Sequence, residues 1–366
     1  MCFTVGAALS PNIGAQLAFR FLAGMFGSTP LVCAGGTMSD LWTPFEQIYI
    51  FPIYATGGFL GLAVGPAIGG AISVSSIVGW RWVEWSTLAM SAAVLLLVLV
   101  LQPETYSPIL LRWKADALAQ LTRTKTEEIA PSLSRVTTRQ LSSKVAAAFY
   151  RPLQLAVYEP IIIMISLYLS VLYIVIFTFL PGYTFIFTNT YGLGPGLRGL
   201  SFMGLGVGFF LALATTVPVT ALSRKAMSRD GDLRPELTLY YAMCGAPAIP
   251  VALFWMGWTA RPSISPWSAL AASVLLGFGI LCVFISSYQY IIRTYGQYAA
   301  SGLVFVTLSR YLVAGGMVVV GIPMYSNLGV AWTLTILGSL GALLVPIPFC
   351  LFWFGPTIRK RSKHSA

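Results

Sequence analysis

Gly57-Gly58-Phe59-Leu60-Gly61-Leu62-Ala63-Val64-Gly65-Pro66-Ala67-Ile68-Gly69-Gly70 carries no charge and lies inside a longer apolar run, Ile48–Ser73. An uninterrupted run of about 20 apolar residues crosses a hydrocarbon core of about 30 Å as an α-helix. The glycines recur three or four residues apart, which bares backbone on a helix face and lets neighbouring helices approach closely. Pro66 withholds an amide, frees a backbone carbonyl and bends the helix. The stretch reads as a membrane helix that packs tightly, with helix contacts at Gly69 and Gly70, and that bends at its proline. Gly279, in a run without this motif, is the position expected to tolerate a larger side chain better.

The same signal recurs on both sides. Further runs of spanning length lie at Gly14–Met38, Trp82–Leu101, Ile161–Pro181, Leu200–Leu222, Leu237–Trp258, Trp267–Tyr288, Ala299–Ile322 and Leu328–Phe354. Met1–Leu9 is apolar but too short to cross, and the turn signal Ser10-Pro11-Asn12 follows it. It has neither the basic start nor the small-residue cleavage site of a signal peptide, so it reads as the end of a helix that begins earlier. Hydrophobic residues make up 57% of the 366-residue chain and charged ones only 9%, against about 25% charged in soluble domains. Alternation of period two is absent, which argues against a membrane barrel. The expected fold is all-α, a polytopic membrane helix bundle of about nine complete spans plus a fragment.

One hydrophilic stretch is long and divides the chain into 1–101, a linker 102–160, a six-run bundle 161–355 and a basic tail 356–366. Within the linker, Leu110–Leu121 mixes apolar residues with Arg112, Lys114 and Asp116, suiting either a helix on the membrane surface or a solvated linker helix. Basic residues gather in the linker (Arg112, Lys114, Arg123, Lys125, Arg135, Arg139, Lys144, Arg151), in loop 223–236 and in the tail (Arg359, Lys360, Arg361, Lys363). The alternate loops carry only Arg81, Arg198 and Arg261. Basic residues are retained on the cytoplasmic side, so the linker and C-terminus are expected there and the region of Pro11 outside. This explains the net charge of +11 better than nucleic-acid binding does, since no basic face is interleaved with aromatics. Cys2, Cys33, Cys244, Cys282 and Cys350 show no metal-ligand spacing and the one histidine, His364, sits in the tail. No metal site, no cofactor and no catalytic residue is expected, because no His/Asp pair, paired carboxylates or Cys/His arrangement lies within the runs.

Two arginines, Arg20 and Arg310, fall inside apolar runs. An arginine there costs about 3 kcal/mol or more unless paired or hydrated, so it normally faces the interior and marks a pathway. Arg20 opens Arg20-Phe21-Leu22-Ala23-Gly24, with small residues continuing through Gly27, Ser28, Ala34, Gly35 and Gly36; alternatively it snorkels to the outer interface. Tyr168, Tyr173, Phe177 and Tyr288 are candidates for a cavity that takes apolar or cationic molecules, and they are equally suited to interfacial or core packing.

Arg20 to Gly24 resembles the RxxxG motif of the fourth span of major facilitator drug/proton antiporters. The spacing Gly61, Gly65-Pro66, Gly69-Gly70 resembles the GxxxGPxxGG antiporter motif of the next span. Asp40-Leu41-Trp42, Trp80-Arg81-Trp82, Pro103-Glu104-Thr105-Tyr106-Ser107-Pro108, Arg151-Pro152, Glu159-Pro160-Ile161 and Tyr298-Ala299-Ala300-Ser301 extend the likeness along the chain. Together they resemble the fungal twelve-span drug/proton antiporter family, which includes polyamine, azole and mycotoxin exporters. The resemblance implies a partial major facilitator fold, lacking the first two spans and most of the third. It implies proton-coupled export of a small organic molecule such as a drug or secondary metabolite, with Arg20 in coupling and Gly57, Gly61, Gly65, Pro66, Gly69 and Gly70 as hinge. It further implies a monomer in the plasma or vacuolar membrane, with substrate, protons and lipid as partners. A truncated remnant that inserts but transports nothing is the alternative. Three places depart from the family: Gln47 where arginine is usual, the pair Val83-Glu84 where an apolar or aromatic pair is usual, and Arg293 in the region where an aspartate is common. These departures weaken the case for ion-pair gating at the cytoplasmic face.

Overall fold

The computed structural model describes residues 1–29, 35–38, 41–74, 79–105, 107–122, 150–230, 234–360 and 362, and all regular structure among them is helical. Cys33, Ala34, Asp40, Tyr106, most basic residues of the linker, Arg361, Lys363 and His364 lie outside the described residues. In chain order the helices are α1 (Cys2–Leu9), α2 (Ile13–Gly27), α3 (Gln47–Val74), α4 (Arg81–Leu101), α5 (Ser107–Thr122), α6 (Pro160–Phe185), α7 (Pro195–Ser201), α8 (Met203–Ala214), α9 (Thr216–Asp230), α10 (Leu239–Gly245), α11 (Ala248–Thr259), α12 (Pro266–Tyr295), α13 (Ala299–Leu344) and α14 (Pro346–Arg359). They fall into two units, Met1–Thr43 with Glu84–Gln154, and Pro44–Val83 with Leu155–Ala366.

In the first unit the expected turn at Ser10-Pro11-Asn12 separates α1 from α2. Ser10 Oγ donates to the Ala7 carbonyl at 2.8 Å, and Asn12 Oδ1 caps α2 by accepting from the Ala15 amide at 2.8 Å, the usual chemistry of an N-cap. The run expected over Gly14–Met38 is present as the 15 residues of α2 and helical residues 35–38. From Val94 to Leu101, α4 exposes every side chain, as suits a helix solvated by acyl chains.

In the second unit α12 is the central element: from Ile280 to Ile292 every residue is buried. α6, α8, α10, α11 and α3 all pack on it, and small residues set how closely they come. A Cβ on Gly208 of α8 would lie 2.1 Å from the Val274 carbonyl oxygen. Gly279 is equally confined, with the Gly245 carbonyl oxygen and Ile249 Cγ1 each 2.7 Å from where a Cβ would stand. The expectation that Gly279 tolerates a larger side chain is therefore corrected: small residues at helix contacts are not confined to the glycine-proline stretch.

Seven helical stretches among the described residues are long and apolar enough to cross a bilayer, and the last of them, Ala299–Arg359, has 61 residues. At 1.5 Å per residue a straight helix of that length would reach about 90 Å, roughly three hydrocarbon thicknesses. The chain instead turns at Gly329, whose φ of 78° and ψ of 167° lie where side chains with a Cβ are strained. Its neighbours show the reversal. Gly302 faces Ile162, Gly321 faces Pro181 and Tyr325 faces Gly182, after which Gly341 and Leu344 are back at the level of Tyr168–Val175. Thr333 Oγ1 donates to the Met324 carbonyl at 3.1 Å across the turn. This one stretch thus holds both runs expected at Ala299–Ile322 and Leu328–Phe354.

The basic asymmetry fixes an expected orientation. A glycosylation or phosphatase reporter inserted after Gly14 should report the outer side and one fused after Ala366 the cytoplasm. The same side for both would overturn the span count.

Candidate functional site

The first unit brings together two charges far apart in sequence. Arg20, midway along α2, donates from Nε to Glu84 Oε1 at 3.0 Å, and its Nη2 contacts the same oxygen. Glu84 stands in the first turn of α4, where a carboxylate is favoured by the unpaired amides and the helix dipole. It is 7% exposed, whereas more than half of the Arg20 side chain is exposed. A carboxylate this buried needs its donors, because leaving it without them costs about 1–3 kcal/mol. The glutamate noted in the sequence only as a departure from a family pattern is thus the partner of the arginine.

In the second unit, Tyr173, Phe177 and Tyr288 come together around Arg310. The Arg310 guanidinium lies over the rings of Tyr173 at 4.5 Å, Tyr288 at 5.1 Å, Tyr311 at 5.2 Å and Phe284 at 5.3 Å. Its Nη2 donates to Tyr288 Oη at 2.7 Å, and that hydroxyl also shares a hydrogen bond with Thr307 Oγ1 at 3.1 Å. Phe177 stacks on Tyr173 at 5.7 Å. Phe284 and Phe51 stack on Tyr288 from 4.4 and 6.0 Å. Spacing explains the assembly: Tyr173 and Phe177, like Phe284 and Tyr288, are four residues apart and share a helix face. Tyr168 does not join them. Five residues before Tyr173 it projects from another side of α6, toward Ala246, Ile249 and Gly341.

The glycine-proline stretch lies in α3, which buries Ile48, Phe51, Ala55, Thr56, Phe59 and Ala63. Contact is made at Gly70 and Pro66. A Cβ on Gly70 would stand 2.6 Å from the Pro195 carbonyl oxygen, and one on Gly199 of α7 would stand 2.4 Å from that of Pro66. Gly57, Gly61, Gly65 and Gly69 have nothing within 4 Å of an added Cβ among the described residues. The expected helix contact at Gly69 is therefore corrected to its neighbour Gly70, one residue and about 100° further round the helix.

The start of α3 is tied to the end of α12. Gln289 Nε2 donates to the Gln47 carbonyl at 3.0 Å and Arg293 Nη2 to the Pro44 carbonyl at 2.5 Å. Both departures at this end, Gln47 and Arg293, thus take part in side-chain to backbone bonds. Beside them Arg359 pairs with Glu236 at 2.5 Å and Tyr295 Oη donates to Glu159 Oε2 at 3.1 Å.

The description Major Facilitator Superfamily matches residues 1–319. The chain belongs to the Major Facilitator Superfamily. Relatives within it are fungal. The MFS-type transporter kojT of Aspergillus flavus is 45% identical, over all of this chain and 65% of its own length. An uncharacterized transporter of Schizosaccharomyces pombe is 38% identical over 99% of this chain and 67% of its own. The ascochitine biosynthesis cluster MFS transporter of Didymella fabae is 32% identical over 99% and 70%. The chain thus spans about two thirds of the length of the curated relatives it matches, and it is a multi-pass membrane protein of a transporter superfamily.

Glu84, Phe51, Phe284, Tyr311 and the central place of Arg310 were not singled out as site residues from the sequence. A signal existed for Arg310, the second charge inside an apolar run, and for Glu84, the one carboxylate in the run that begins at Trp82. Nothing local pointed to the three others.

Proposed function

We propose that the chain works as part of a proton-coupled exporter of a small organic molecule, moved by rocking helix bundles about a midplane cavity. The observation that carries this reading is the Arg20–Glu84 pair. A carboxylate held by a guanidinium across two helices is a switch: a proton on Glu84 removes the charge attraction and weakens the hydrogen bonds that join α2 to α4. Helix position and proton occupancy are then linked, which is what coupling requires. Pro66, which leaves a helical carbonyl without its amide partner and whose own carbonyl lies against Gly199, supplies a second element that can change angle. The Didymella relative's name places it in a biosynthesis cluster, which favours a secondary metabolite as the exported molecule here. The plasma membrane is the proposed location and a monomer the proposed state.

The test is proton movement in proteoliposomes holding the full chain and a pH-sensitive dye. A panel of organic anions, cations and neutral aromatics is added outside under an imposed pH difference. At least one compound should evoke proton flux that Glu84→Gln removes. Solute movement indifferent to the pH difference would remove the coupling, and no movement of any compound would remove the transport reading for this chain.

A further inference from the structure

We infer that Arg310 and the rings around it form a binding subsite for a planar organic anion, such as an aromatic carboxylate; the inference rests on the transporter reading and names its substrate class. Arg310 is fully buried, and its guanidinium presents five N–H donors in a fixed planar fork. One of its nitrogens, Nη2, is engaged by Tyr288, while Nε and Nη1 are buried with no hydrogen-bond acceptor among the described residues. The two buried glutamates of the same unit are bound elsewhere, Glu236 to Arg359 and Glu159 to Tyr295. The ring faces offset part of the charge but offer those N–H groups at most weak contacts in place of an oxygen acceptor. A structural arginine at a helix contact is normally satisfied by a carboxylate or backbone carbonyls.

The chemistry of the surroundings selects the ligand. A permanent positive charge repels a cationic solute and leaves a neutral one without a strong partner, whereas an anion gains two charge-assisted hydrogen bonds in a dry site. The surroundings are aromatic: Phe284 and Phe51 each stack on Tyr288, and Tyr311, beside the guanidinium, is 41% exposed. Flat ligands stack on such faces. Tyr288 Oη, held between Arg310 and Thr307, fixes the guanidinium so that Nε and Nη1 remain the available donors.

The experiment uses the full chain in detergent and radiolabelled benzoate in a scintillation proximity assay, with unlabelled 2-naphthoate, benzamide and benzylamine as competitors. Naphthoate should compete, and benzamide and benzylamine should compete at least about tenfold more weakly, as expected when charge-assisted bonds are lost. Arg310→Met, of similar length and apolar, should bind benzoate at least about tenfold more weakly while keeping the helical circular-dichroism signal and a single elution peak. Arg310→Lys and Tyr288→Phe should weaken binding less, and they serve if the methionine variant does not fold. Benzoate binding absent from the parent, unchanged in the arginine variants, or matched by benzamide would overturn the inference. The transporter reading fails separately: arginine-dependent benzoate binding without transport in proteoliposomes would sink it alone, and transport of only neutral or cationic solutes, unaffected by Arg310→Met, would sink the anion subsite alone.

Discussion

Gly199→Ala and Gly70→Ala should each lower the thermal stability of the solubilised protein, although alanine is the better helix former. In a helix interior the change from glycine to alanine is worth about 0.8–1 kcal/mol in favour of alanine. At these two positions the new carbon would meet a backbone carbonyl oxygen, that of Pro66 at 2.4 Å and that of Pro195 at 2.6 Å. Backbone cannot rotate out of the way as a side chain can, so α3 and α7 must separate, and overpacking of this kind costs about 1–3 kcal/mol. Gly69→Ala, with nothing within 4 Å, should be neutral or stabilising. The readout is the midpoint of thermal aggregation in detergent for the three variants. Equal midpoints would mean that the α3–α7 contact carries no stability, and a loss at Gly69 matching that at Gly70 would mean that the glycine stripe as a whole packs.

That result would also mark where sequence reading stopped. Apolar length alone located nearly every helix, because a bilayer demands internally bonded segments of one length. The glycine-proline spacing marked a close approach, but spacing is degenerate between adjacent residues: Gly69 and Gly70 differ by one step in sequence and by contact against open space in three dimensions. The structure gathers Tyr173, Phe177 and Tyr288 around Arg310 and leaves Tyr168 apart. Aromatic residues on a fully apolar helix have no amphipathic pattern to show which face is inward, so Tyr168 and Tyr173 read alike, and only the position of Arg310 on α13 separates them. Glu84 shows the opposite limit. A carboxylate in the first turn of a helix has an ordinary local explanation, and its partner stands 64 residues earlier, beyond any periodicity.

Arg20→Ala should abolish proton-driven efflux while the protein still reaches the membrane, and Arg20→Lys should retain a small fraction of it. Both changes act on the buried carboxylate of Glu84, which accepts from Arg20 Nε at 3.0 Å and contacts Nη2 as well. Alanine removes every donor. Lysine keeps a charge but replaces a planar group that reaches Glu84 through two nitrogens with a single ammonium on a flexible stem. A buried carboxylate deprived of its donors costs about 1–3 kcal/mol, and the contact that joins α2 to α4 is lost with them. Glu84→Gln should produce the matching defect from the other side, with solute movement that no longer responds to the pH difference. Substrate binding in de-energised membranes should change less than transport in all three. Exchange of the pair, Arg20→Glu with Glu84→Arg, should recover part of the coupling, since the ion pair is restored with its direction reversed. The measurement is solute efflux from proteoliposomes against an imposed pH gradient, alongside surface expression. Pumping by Arg20→Ala at the parental rate on the same gradient would leave the arginine as an interfacial anchor, and proton coupling would have to be carried by other residues.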